Sequence, residues 1–260
     1  MELFETGLGY SAINTAKSAV SSFIFIISKV QIGKDILMKQ FMKGIFNKKP
    51  ALPKYNVTWD VETLIKILKS WSPIKHISLK LLTFKLVMLL ALTTGQRMQS
   101  LCLIDIRNLE LRTTYVKLRY GDLLKQTKPG RHLSELFIEA YKPDYRLCVV
   151  LTLSEYLERT CDLCNTYQLF IIFQKPHNAV KKCTIANWIK KVLLLAGIDM
   201  KIFTPHSTRG ASTSKVSGKI PISTILRTAG WKKDSLFRKH YKRPITNDSS
   251  FSNKVLKTNN

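Results

Sequence analysis

Apolar positions recur at helical spacing over most of the chain and alternate over one stretch near its middle. That pattern predicts a mostly α protein with a small antiparallel β-sheet, an α+β class. Residues 1–50 carry two amphipathic segments, LGYSAINTAKSAVSSF (8–23) and DILMKQFMKGIF (35–46). NKKPALP (47–53) follows, and its two prolines resist both helix and central strand, so a domain boundary is expected there. Val61, Leu64, Ile65 and Leu68 mark one helical face, and Leu79, Leu82, Leu86, Leu89 and Leu90 a longer one. Gly95 ends the second helix and delivers Arg97 to the start of a short following one. From Leu109 to Glu139 the period becomes two: LELRTTYVKLRY, a turn near Gly121 and Asp122, LLKQT, a Pro129–Gly130 turn and LSELFIE. Helical patterning resumes from Asp144 to Arg159, and LFIIF (169–173) reads as a buried strand. TIANWIKKVLLLAG (184–197) reads as a helix capped by Thr184 and stopped by Gly197. Thr204 is expected to cap the next helix with Pro205 in its first turn, and Gly230 to close another. Residues 245–260 are polar and read as a disordered tail.

Charge sharpens the picture. Forty-two Lys and Arg against seventeen Asp and Glu leave a net charge of +25 over 260 residues, spread along the chain rather than held in one tail. Solvated charged faces are the plainer reading, but such an excess repels itself unless something anionic neutralises it, and a polyphosphate partner is favoured. A membrane partner is not expected, because the apolar run from Phe23 to Ile27 falls far short of the roughly 20 residues a bilayer needs. Glu2 and Glu5 stand where a secretory leader would be positive. The five cysteines fit a reducing compartment. Cys161, Cys164, His177 and Cys183 approach a zinc-finger spacing, yet they are better read as ordinary residues, with no metal site.

The candidate chemistry gathers in TPHSTRGASTSKVSGKIPISTILRTAGWKKDSLFRKHYKRP (204–244). His206 and Arg209, three apart on a helix, share one face about 5–6 Å apart at Cβ, beside a helix start that favours an anion. Trp231 and Tyr241 follow, the phenol set among cations in RKHYKRP. Lys125 and Lys128 lie in the hairpin leading to the Pro-Gly turn, where a long side chain can reach a ligand, although spacing alone favours two solvated lysines.

Arg97 in TTGQR, a hairpin lysine, HSTR (206–209), Gly230–Trp231 and Tyr241 occur in the order and approximate spacing of tyrosine recombinases, the phage integrase superfamily. LVMLLALTTGQRMQSLCLIDI, LLKQTKPGRH, HSTRGAST and AGWKKDSLFRKHY resemble the recombinases of DIRS-type retroelements more closely still. The resemblance implies a catalytic domain over 51–244, preceded over 1–50 by the end of a helical core-binding domain, hence about half of a DNA clamp. It implies cleavage and rejoining of double-stranded DNA through a 3′-phosphotyrosyl link, for integration and recombination of a mobile element. Arg97 and Arg209 would clamp the scissile phosphate, His206 would bind a phosphate oxygen or manage a proton, and Trp231 would pack against the nucleophile's helix. Tyr241 would attack phosphorus. Lys125, favoured by the resemblance over Lys128, would protonate the leaving 5′-oxygen. Lys128, Arg131, Lys242 and Arg243 would contact DNA. No metal and no other cofactor is implied; self-association on DNA as a dimer or tetramer, and a nuclear site of action, are. Ser100 stands where many relatives carry an acid. A catalytically idle DNA-binding remnant and a type IB topoisomerase-like relaxing enzyme are the alternatives.

Overall fold

The structure, a computed structural model, describes residues 2–51, 55–121 and 135–245. Its contacts group the chain into two compact units, Met1–Lys54 and Tyr55–Asn260.

In the first unit, α1 (Glu2–Glu5) precedes α2 (Tyr10–Ser28) and α3 (Ile36–Lys48). Asp35 starts α3 by accepting hydrogen bonds from the amides of Leu37 and Met38 at 2.8 and 3.0 Å, satisfying two donors that a helix start leaves orphaned. The apolar faces of α2 and α3 meet in a small core of Ile13, Met42 and Ile45. Farther along α2, Val20, Phe23 and Ile27 remain exposed.

The second unit is built around α5 (Leu79–Thr94), which Ser78 caps through the Leu81 amide. Because α5 is apolar on nearly every side, it is buried from Leu82 to Ala91 and packs against α7 (Val149–Thr160), α8 (Lys182–Leu195) and α9 (Ser207–Val216). The exception proves well satisfied: Lys85, fully buried, donates from Nζ to the Trp71 carbonyl at 2.5 Å and to Ser72 Oγ at 3.1 Å. Burial pushes its amine down to about 8. Helix α4 (Val61–Ser70), capped by Asp60, contributes Val61, Leu64 and Leu68 to the same core. After the short α6 (Met98–Cys102) comes an antiparallel sheet in the order β1 (Leu109–Leu111), β2 (Tyr115–Leu118), β3 (Leu136–Glu139), with Leu109 opposite Leu118 and Val116 opposite Ile138. Two short helices, α10 (Ile222–Ala229) and α11 (Asp234–His240), close the described chain around Ile225, Trp231 and Phe237.

Several boundaries differ from the sequence reading. LFIIF is buried at Leu169, Phe170 and Ile171 but forms no strand; its pairing is limited to isolated bridges such as Ile171 with Ala179. Apolar content fixed its burial and not its hydrogen bonding. Helix α8 begins at Lys182, so Thr184 lies inside it and does not cap it. Helix α9 begins at Ser207, later than Thr204 and Pro205 suggest, because 204–209 form a tight turn closed by Ser207 N–Thr204 O at 2.8 Å and Arg209 N–His206 O at 3.3 Å. The LLKQT segment and the Pro129–Gly130 turn lie outside the described residues.

Gly95 ends α5 in the left-handed region at φ 57°, and a Cβ there would meet Thr213 Cγ2 at 3.3 Å and Ala229 Cβ at 3.4 Å. Gly95→Ala is therefore expected to cost about 1–3 kcal/mol, read as a lower urea midpoint. An unchanged midpoint would show that the α5–α6 corner is not held against α9 and α10.

Candidate active site

Four stretches of the chain build the site. The α5–α6 corner brings Gln96, buried, and Arg97, half-buried at the cap of α6. Gln96 Nε2 donates to the Thr228 carbonyl at 2.5 Å, tying this corner to the end of α10. The turn leading into α9 brings His206 and Arg209. From α10, the left-handed Gly230 (φ 69°) turns the chain so that the Trp231 amide bonds back to the Leu226 carbonyl at 2.8 Å, and the indole faces inward. Tyr241 sits at the end of α11, its amide bonded to the Phe237 carbonyl at 2.8 Å.

Arg209 is the centre of this arrangement, at 1% exposure. Its guanidinium carbon lies 4.2 Å from the Trp231 ring centroid and 5.3 Å from that of Tyr241. Nη2 donates to the Ala229 carbonyl at 2.6 Å, which fixes the plane of the fork, while Nε and Nη1 are buried without a partner among the described residues. Trp231 Nε1 is a third buried donor without one. Leaving such donors unmet costs about 1–3 kcal/mol each, more for a charged group, so they call for an acceptor beyond the described residues. Burial first, and the Arg97 charge second, push the Arg209 guanidinium down to about 9, against the opposing pull of Tyr241; it stays cationic at neutral pH.

His206 stands exposed at the rim, with Nε2 3.3 Å from the Tyr241 hydroxyl and its ring edge-on to the phenol at 5.8 Å between centroids. The Trp231 ring lies 4.5 Å from the Tyr241 ring on the inner side. Desolvation on the protein side lowers the His206 pKa, and the cations of Arg209, Arg97 and Lys182 lower it further. An imidazole neutral at pH 7 can accept the phenolic proton. His206 is accordingly expected to titrate below 6.5, the ordinary value, in an NMR pH titration assigned with His206→Gln. A midpoint at or above that value would mean that neither the desolvation nor the three cations act on the ring in solution.

The structure thus brings His206, Arg209, Trp231 and Tyr241 into contact, with Arg97 near enough for its charge to act on both His206 and Arg209. Lys242 is exposed and Arg243 half-buried just past Tyr241. Lys125, Lys128 and Arg131 lie outside the described residues. Ser100 is buried in α6. Among the described residues no cluster of His, Cys, Asp or Glu could hold a metal ion; His177 Nδ1 instead lies 2.9 Å from the Ile172 carbonyl, and Cys164 Sγ donates to Thr166 O at 2.6 Å. A groove of about 640 Å³, lined by Leu68, Leu89, Val216 and Ile225, contains none of these site residues.

The model of the Phage integrase family matches residues 58–247, well over half of the chain. The chain belongs to the phage integrase family. Solved structures of similar fold include XerA recombinase, at 16% identity and TM-score 0.55 over 92% of this chain and 80% of that one. The Tn1549 transposon integrase in complex with circular intermediate DNA is similar at 12% identity and TM-score 0.59, over 99% of this chain and 82% of that one. XerH site-specific recombinase bound to difH substrate is similar at 15% identity and TM-score 0.54; the match covers 70% of this chain and about half, 49%, of the XerH chain. No curated protein matches in sequence. The mostly helical fold with its small antiparallel sheet is that of a tyrosine recombinase catalytic domain.

Within this integrase-family domain, sequence reasoning missed Lys182, whose charge reaches His206 from the start of α8. It also missed Gln96, Ser214 and Trp59. Ser214 Oγ donates to the Tyr241 carbonyl at 2.9 Å and accepts from the Arg243 amide at 3.0 Å, fixing the chain on both sides of Lys242. The signal available was the run of small hydroxyl residues in HSTRGASTS, most of which face inward.

Proposed function

We propose that this integrase-family chain is a site-specific recombinase of a DIRS-type mobile element, cutting and rejoining double-stranded DNA through a 3′-phosphotyrosyl intermediate. One observation carries the reading: Arg209 holds two buried donors with no partner among the described residues, beneath a tyrosine whose hydroxyl lies 3.3 Å from His206 Nε2. A phosphodiester oxygen is an acceptor that suits a guanidinium fork of this kind. Tyr241 Oη attacks phosphorus and passes its proton to His206. Arg209, Arg97 and the Trp231 indole N–H stabilise charge on the non-bridging oxygens as it develops. The bond from phosphorus to the 5′-oxygen breaks, Lys125 supplies the proton for the departing 5′-hydroxyl, and the phosphodiester is conserved in the tyrosyl ester for the return step.

The net charge of +25 supports DNA as partner. Recombinases of this fold have been seen as DNA-bound dimers and tetramers, the lambda integrase among them, and we extend self-association on DNA to this chain, with the nucleus as its place of action. The experiment is covalent trapping on a nicked duplex carrying the element's own termini. A protein–DNA adduct that survives denaturation is the expected result. DNA binding without trapping would mark an idle remnant, and relaxation of a plasmid lacking any element site would mark a topoisomerase-like enzyme.

A further inference from the structure

The short segment 55–60, which leads into α4, touches both halves of the site. The Thr58 amide donates to the Pro244 carbonyl at 2.8 Å, and Thr58 bridges in parallel to Ile245, three and four residues past the nucleophile. Its neighbour Trp59, 3% exposed, donates from Nε1 at 2.9 Å to Oγ of Ser207, which is 1% exposed and stands between His206 and Arg209. Tyr55 packs edge-on against Phe203, directly before the turn that carries His206, at 5.5 Å between centroids. On the far side of α9, Ser214 holds Tyr241 and Arg243 by their backbones. The bonds close a ring: Ser207 to Trp59, Thr58 to Pro244, Arg243 to Ser214, and along α9 back to Ser207. His206 adjoins that ring at Ser207 and Tyr241 adjoins it at Ser214, and their side chains meet at 3.3 Å.

We infer that Thr58 and Trp59 are positioning residues, a strap that sets the reach of Tyr241 to His206 and Arg209. A buried indole N–H needs an acceptor, and here the acceptor is Ser207, the residue next to His206 on the turn that also carries Arg209. Displacing a reacting group by about 1 Å costs on the order of 10²-fold in rate, so the strap governs chemistry more than affinity. The inference rests on the recombinase reading, and its test separates the two.

Trp59→Phe, which keeps a ring and removes the donor, Ser207→Ala, and the double variant are compared with the wild-type chain. Single-turnover trapping on saturating nicked duplex is expected to slow by about 10–100-fold in each single variant. The double variant should be no slower than the worse single one, because both remove the same bond. DNA affinity should be unchanged, and the His206 NMR titration midpoint should rise toward the ordinary value as the turn loosens. A lowered melting temperature with unaltered trapping rate and unaltered His206 titration would reduce Trp59 to a core residue. Losses that multiply in the double variant would overturn the shared bond. If the wild-type chain never traps DNA, the recombinase reading falls while the His206 titration still decides the strap; if Trp59→Phe does not fold, Ser207→Ala carries both readouts.

Discussion

Tyr241→Phe is expected to abolish covalent capture of DNA, a loss of at least about 10⁴-fold against a wild-type adduct, while the protein still folds and binds the same duplex. The magnitude follows from chemistry: without Oη no bond to phosphorus can form, and the residual signal is whatever another nucleophile supplies. The packing argument explains why the test is clean. The ring keeps its place 4.5 Å from Trp231 and over the Arg209 guanidinium, and the backbone remains tied by the Phe237 carbonyl and by Ser214. Only the contact with His206 at the exposed rim is lost, worth about 1 kcal/mol or less. Because Tyr241 meets His206 and Arg209 of its own chain, mixing Tyr241→Phe with an Arg209 variant is expected to restore no trapping. Adducts from the mixture would instead mean that one subunit attacks DNA held by another. Adducts from Tyr241→Phe alone would assign the nucleophile to a different residue.

What could be seen beforehand follows a physical division. Helix α5 was legible because its burial is written into a continuous apolar run with Ser78 before it and Gly95 after it. The sheet was legible from alternation, since a half-buried strand must expose every second residue, as β2 does with Val116 and Leu118 inward. LFIIF misled because an apolar run reports burial alone, and its backbone bonds go to scattered partners such as the Ile104 and Asn178 carbonyls. Arg97, His206, Arg209, Trp231 and Tyr241 were legible only as a spaced set of residue types; nothing in periodicity says that the charge of Arg97 acts on Arg209. Trp59 and Ser207 lie 148 positions apart, and their hydrogen bond exists only because the fold returns the chain end past the start of α4. Thr204 suggested a cap by composition, but the tight turn through His206 satisfies those amides with backbone carbonyls instead.

Arg209→Lys is expected to slow phosphotyrosyl formation by about 10³-fold or more, although it preserves formal charge. The guanidinium performs three tasks at once: Nη2 holds the Ala229 carbonyl, the cation lies 4.2 Å from the Trp231 ring and 5.3 Å from the Tyr241 ring, and Nε and Nη1 remain as buried donors for the phosphate proposed above. An ammonium is a point donor on a shorter reach and cannot do the first and last together. The surroundings also work against it. Burial and the Arg97 charge already draw the arginine down to about 9, and an amine with a lower starting pKa, placed in the same pocket, is pushed toward neutrality, surrendering the cation just where negative charge builds. Binding should respond differently, because one phosphate contact among many changes the slope of log K against log salt by only about 0.9. The measurements are therefore the trapping rate at saturating DNA, the affinity across a salt series, and the melting temperature, which separates lost chemistry from lost packing at a residue 1% exposed. A variant that folds, binds and still traps within tenfold of wild type would show that the scissile phosphate does not lie on Arg209.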